Sequence, residues 1–165
     1  MNGNKKRIAV LIAKIIKDFD VVKNFSEDSM EFKIVVQKLG YLIQKVGGLD
    51  YGFKFEWLSR GPYSKGLQNY YHHVFQHLGD VQDIELDESE DIAIRKVENM
   101  LLDAKHEIGQ LDHRVLELVA SLIMLCTDVY PAPDNVVDEF SRKKNVSMDI
   151  VERLLNIVKR YGFCI

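Results

Sequence analysis

Apolar residues along this chain recur mostly every three or four positions, the spacing of amphipathic helices. Ile8, Leu11, Ile12, Ile15 and Phe19 form one stripe and predict a helix over 5–19. A polar stretch over 18–29 reads as a loop. Phe32, Val35, Val36, Leu39, Leu42, Ile43 and Val46 predict a second helix over 30–46, with Ser29 as its N-cap. Ile34 and Tyr41 fall on the opposite face, so this helix is expected to be covered on both sides. Gly47-Gly48 ends it.

The period then changes. Phe53-Lys54-Phe55-Glu56-Trp57-Leu58 alternates ring and charge, the signature of a strand with one buried face. Gly61-Pro62 predicts a turn, and Ser64 a cap for a helix running to Leu78. Asp83-Ile84-Glu85-Leu86-Asp87 alternates again, so residues 82–87 are expected to pair with 53–58. Helical spacing returns over 89–105. Asp112 caps the next helix, and Val115 to Cys126 is apolar except for Glu117 and Ser121. A helix greasy nearly all round belongs at the centre of a core. Pro131 and Pro133 break the chain before two short helices, 134–144 and 148–161, the second capped by Ser147 and closed by Gly162.

The predicted fold is therefore mainly α. It is a compact helical domain of six to seven helices with a small two-stranded antiparallel ribbon and a C-terminal helix-turn-helix or winged-helix-like pair. A length of 165 residues suits a single domain spanning 1–165. With 47% hydrophobic and 28% charged residues, the chain has an ordinary globular balance and can bury a core without a metal or disulfide staple.

The net charge of −3 argues against a molecule that binds nucleic acid over its whole surface. Charge is nevertheless segregated, with basic ends and an acidic stretch over 80–98. No apolar run reaches the length of a membrane span, and the N-terminal stretch does not read as a signal peptide. The chain has two cysteines, Cys126 and Cys164. Two make no disulfide framework, and Cys126 reads as a small core side chain, so a reducing, cytoplasmic setting is expected.

The densest chemical signal runs from Lys38 to Leu67. The strand puts Phe53, Phe55 and Trp57 on one face, where they can pack on Tyr41 and Leu42. Backbone amides from Gly61 to Ser64, beside Arg60 and Lys65, could hold an anion or a partner's carboxylate at a helix N-terminus. The same residues also make sense as a structural corner with Trp57 in the core.

This constellation resembles the YwgA-like proteins and, more distantly, the Panacea (SocA-like antitoxin) domain. The shared pattern is Lys38, Leu39, Tyr41, Leu42 and Gln44 on a helix, then Phe53, Phe55 and Trp57, then Gly61, Pro62, Tyr63 and Ser64. The YwgA-like match extends through Leu116 to Leu122 and the closing pair of helices. The resemblance implies a mainly helical domain without catalysis, and the Panacea relatives act by binding a partner protein. Tyr63 stands where the Panacea pattern usually has valine.

Other residues bear on competing functions. The last two predicted helices have the size of a helix-turn-helix, with Arg142, Lys143, Lys144, Arg153, Lys159 and Arg160 as nucleic-acid candidates. Asp149 and Glu152 dilute their field. His73 and His77 sit four apart on a helix, a spacing that can chelate zinc, but no third ligand is placed and no metal or cofactor is expected. No phosphate loop, nucleophile elbow or Cys-x-x-Cys is present, so no catalytic residue is singled out and the reading leans away from an enzyme. The expected function is a regulatory, protein-binding module using Tyr41, Trp57, Arg60, Gly61, Pro62, Tyr63 and Ser64. The alternatives are a DNA-binding regulator using the C-terminal pair and an enzyme of unrecognised class.

Overall fold

Helix starts are set by side-chain caps. Ser29, Asp112, Asn135 and Ser147 each accept a hydrogen bond from a first-turn amide, and Asp87 with Glu90 forms a reciprocal capping box. The structure, a computed structural model, describes residues 5–21, 25–80, 84–129 and 133–164. Among these residues the helices are α1 (Lys5–Phe19), α2 (Met30–Lys45), α3 (Tyr71–Leu78), α4 (Glu88–Ile108), α5 (His113–Thr127), α6 (Val136–Lys144) and α7 (Met148–Arg160). Between α2 and α3 lie the strands β1 (Glu56–Leu58) and β2 (Gly61–Tyr63) and a short 3₁₀ helix, Gly66–Tyr70.

The mainly helical fold with one antiparallel ribbon is as expected. The core draws on all seven described helices. As its composition predicts, α5 is buried continuously from Val115 to Leu125. α2 packs across it and is covered on both faces, since Ile34 and Tyr41 are also buried. α6 and α7 form the C-terminal pair, joined through Asn145, Val146 and Ser147. Asn145 takes the left-handed conformation at the end of α6, which turns the chain sharply. Among the described residues no helix is long and apolar enough to cross a membrane.

Three expectations need correction. First, the ribbon's second strand is β2, not 82–87. β1 and β2 pair antiparallel with Leu58 opposite Gly61, Trp57 opposite Pro62 and Glu56 opposite Tyr63. Ile84 to Asp87 is not strand, and residues 82 and 83 lie outside the described set. The Glu85 carbonyl instead accepts from Arg7, whose guanidinium also grips Glu90 (2.6 and 2.9 Å). Second, the turn lies at Ser59-Arg60, because Gly61-Pro62 belongs to the strand that follows it. Ser64 does cap, accepting from the Leu67 amide, but what it caps is the 3₁₀ helix. Third, Cys126 and Cys164 form a disulfide across 38 residues. The chain leaving α7 returns to the end of α5 and brings the two Cα atoms within 5.2 Å, inside the bridging range. Disulfides persist in oxidising surroundings, so the cysteines no longer argue for a reducing compartment.

Candidate functional site

The ribbon is held by polar side chains that α2 carries among its apolar ones. Gln37 donates to the Ser64 carbonyl (2.9 Å) and accepts from the Ser64 amide (2.8 Å). Lys38 Nζ donates to the Pro62 carbonyl (2.7 Å). Gln44 donates to the Phe53 carbonyl (2.9 Å) and accepts from the Phe53 amide (3.2 Å). One carboxamide thus gives Phe53 both backbone partners that a neighbouring strand would supply. These bonds satisfy backbone groups that would be costly to leave unpaired when buried.

Pro62 determines which backbone groups the ribbon uses. It has no N–H, so Trp57 and Pro62 cannot be a hydrogen-bonded pair. The ladder bonds therefore fall on Glu56–Tyr63 and Leu58–Gly61. The Trp57 amide and carbonyl point the other way, off the outer edge of β1. Neither has a hydrogen-bond partner among the described residues, and the same holds for the backbone of Phe55. Among the described residues, the edge that Gln44 closes at Phe53 is open at Phe55 and Trp57.

A cleft of about 560 Å³ runs beside this edge. One side is formed by Phe55, Glu56 and Trp57, and the rest by Tyr41, Gln44 and Lys45 from α2, the 48–50 loop, and Met124 to Val129 at the end of α5. Tyr41 and Phe55 meet edge to face with centroids 5.4 Å apart. The Tyr41 hydroxyl donates to Asp128 Oδ2 (2.5 Å), and Lys45 pairs with Asp128 Oδ1 (2.6 Å). Asp50 and Glu56 also line the cleft and make no ion pair among the described residues. Among the described residues, three carboxylates therefore face one ammonium.

The three strand rings are not stacked on one neighbour. Phe55 packs on Tyr41, whereas Phe53 is buried against Tyr70 (5.5 Å). Trp57 is half-buried, with Lys144 Nζ over its ring at 5.4 Å. Tyr41 and Trp57 thus meet at the cleft. Arg60 and Tyr63 line a second hollow of about 290 Å³ with Lys38 and Tyr71. The expected anion cradle from Gly61 to Ser64 does not form. The Ser64 amide is occupied by Gln37, Pro62 has no amide hydrogen, and the segment that follows is a single short 3₁₀ turn.

Beneath the turn lies a charged centre. Glu117, 3% exposed, pairs with Arg114 (2.8 Å) and Lys144 (3.3 Å), with Arg60 at 3.9 Å. Lys144 also donates to the Ser59 carbonyl (3.1 Å), which ties the turn to α6. Burial pushes the Lys38 ammonium down to about 7; Glu117 opposes the shift, and Lys144 and Arg60 add to it. Burial lowers Lys144 as well. Between α4 and α1, burial, then the neighbouring Asp18 carboxylate, raises Glu98 to about 8.

These shifts give opposite pH slopes. Between its ordinary range near 4.5 and about 8, folded Glu98 holds a proton that the unfolded chain has lost, so its contribution to stability falls as pH rises. Between about 7 and 10.5 unfolded Lys38 binds the proton that the folded state lacks, so stability rises with pH. Denaturant titrations across pH should show Glu98→Gln flattening the acid limb and Lys38→Met flattening the alkaline limb. Parallel curves for a variant and the parent would show that the residue does not titrate as described.

The nucleic-acid candidates are largely occupied. Lys144 is buried, a correction to its place in that set. Arg142 faces Asp138 (3.2 Å), Lys143 faces Glu139 (3.7 Å), and Arg153 faces Asp149 (3.1 Å). Lys159 and Arg160 are exposed and make no ion pair among the described residues. His72 and His77 face Glu27 (2.7 Å) and Asp80 (2.9 Å). Among the described residues no group of three or more His, Cys, Asp or Glu is placed to hold a metal ion.

Gln37, and the buried roles of Gln44 and Glu117, go beyond what the sequence pattern suggests. Gln37 and Gln44 are polar residues inside an apolar helix, and Glu117 interrupts the greasiest helix of the chain. A polar group at a core position must find a buried partner, and that is the signal that could have marked them. No protein-family model, curated protein or solved structure matches the chain.

Proposed function

We propose that this chain is a non-enzymatic regulatory module of the YwgA-like or Panacea-like type that binds a protein partner, as the Panacea proteins do, through the Trp57 to Tyr71 region and the cleft that adjoins it at Trp57. The observation that carries this reading is the aromatic cleft between Tyr41, Phe55 and Trp57, set against an open strand edge. A concave, largely apolar surface with a few fixed polar groups is what a binding site offers. Aromatic side chains that keep part of their area accessible are typical anchors of protein interfaces.

Co-purification from a native extract with the tagged full chain tests the reading. Glu56→Arg changes an exposed residue on the cleft wall, and Leu102→Ala changes an exposed residue on α4 away from it. A partner should be retained by the parent and Leu102→Ala but lost about tenfold or more with Glu56→Arg, a change of about 1.4 kcal/mol. A chain that elutes alone, or a partner held equally by all three, contradicts the reading.

A further inference from the structure

We infer that the partner enters as an extended segment that adds a strand to the outer edge of β1 and places a cationic side chain in the adjoining cleft. This rests on the partner-binding reading above and specifies the chemistry of the partner.

The first ground is the backbone. Trp57 directs its amide and carbonyl away from β2, and neither finds a partner among the described residues. Two residues earlier, the Phe55 backbone is equally unpaired. An open edge of this kind pairs with another chain unless something blocks it. Gln44 already shows what the edge accepts. Its carboxamide bonds both the amide and the carbonyl of Phe53, as a peptide group would. A strand laid beyond Gln44 would continue that pattern past Phe55 and Trp57. Main-chain bonds would supply affinity, and alternate side chains would enter the cleft to supply specificity.

The second ground is charge. Among the described residues, Asp50, Glu56 and Asp128 line the cleft against Lys45 alone, and Lys45 is already paired to Asp128. An incoming carboxylate would be repelled. An arginine or lysine would meet Glu56 and Asp50 and lie among the rings of Phe55 and Trp57, where cation–π attraction adds to the ion pair. The occupant is therefore polypeptide, extended, and basic at the residue that faces inward.

A displayed library of random peptides about twelve residues long, long enough to cover an edge strand, is the probe. It is selected on the full chain and counter-selected on Glu56→Arg. Binding of the enriched peptides is then read from the fluorescence of Trp57, the one tryptophan of the sequence. Each peptide is compared with two copies N-methylated at alternate residues, one in each frame, and with a copy carrying Glu in place of its cation. The expected result is enrichment of sequences with Arg or Lys among strand-forming residues, with the copy methylated in the pairing frame and the Glu copy each binding about tenfold more weakly or worse. Enriched peptides that tolerate methylation in both alternate frames, or that lack a cation, overturn this inference while leaving a partner-binding surface in place. No enrichment over the counter-selection, or a Trp57 signal explained by self-association of the chain, overturns both.

Discussion

Glu117→Ala is expected to destabilise the fold by about 3–5 kcal/mol, because it removes the carboxylate at the centre of a buried set of cations. Lys144 Nζ lies 3.3 Å from Glu117 Oε2, and its side chain is 4% exposed. Arg114 lies 2.8 Å away, and Lys38 is close enough to feel the same charge. Without Glu117 these groups are left charged in a space with little water, or must give up protons. Arg114 cannot deprotonate and is partly exposed, so it can turn outward. Lys38 and Lys144 can neutralise, and burial has already moved both in that direction. The loss should therefore be smaller near pH 9 than near pH 6. Arg60, at 3.9 Å and mostly exposed, is a rim charge, and Arg60→Ala should cost no more than about 1 kcal/mol. Urea unfolding of the three proteins at both pH values checks this. A Glu117→Ala variant within about 1 kcal/mol of the parent at pH 6 would mean that the cations are solvated, contrary to their burial.

Gly61→Ala is expected to cost about 3 kcal/mol or more, from steric overlap added to backbone strain. Gly61 has φ +86°, and a Cβ built there would lie 1.9 Å from Ser121 Oγ and 3.0 Å from Ser121 Cβ. The strand therefore reaches α5 only because this residue has no side chain. Ser121 Oγ is itself buried without a hydrogen-bond partner among the described residues, so Ser121→Ala alone should be neutral or slightly stabilising. The double variant should regain only part of the loss, because the Cβ contact and the positive φ remain. Full recovery in thermal unfolding would assign the whole effect to the Oγ overlap and contradict the strain.

The same residues explain what could be read in advance. Helix positions were legible because apolar spacing and capping residues agree for α2, α5 and α7, and apolar spacing alone sufficed for α1. The strand over 53–58 was visible in its alternation, although only Glu56–Leu58 forms ladder bonds. Its partner was hidden because β2 is three residues long and contains Gly-Pro, which ordinarily reads as a turn. Pro62 is tolerated because it faces Trp57 at the pair that needs no N–H. The alternation around 84–87 reflects Ile84 and Leu86 lying less exposed than their acidic neighbours, not a ladder. Arg142-Lys143-Lys144 looked like a solvated basic run, but helix geometry turns Lys144 inward to Glu117. The disulfide was not legible, since nothing in two distant cysteines shows that the chain after α7 returns to α5.

The binding edge exists only if β1 is paired to β2 on one side while its outer edge beyond Gln44 stays open. Residue-resolved amide hydrogen exchange tests this most directly. The Glu56 and Leu58 amides, in the ladder, and the Ser64 amide, bonded to Gln37, should be protected, whereas the Trp57 amide between them should exchange at least about tenfold faster. Equal protection at Trp57 and Leu58 would mean that something already covers the edge, and neither the open strand nor the site built on it would stand.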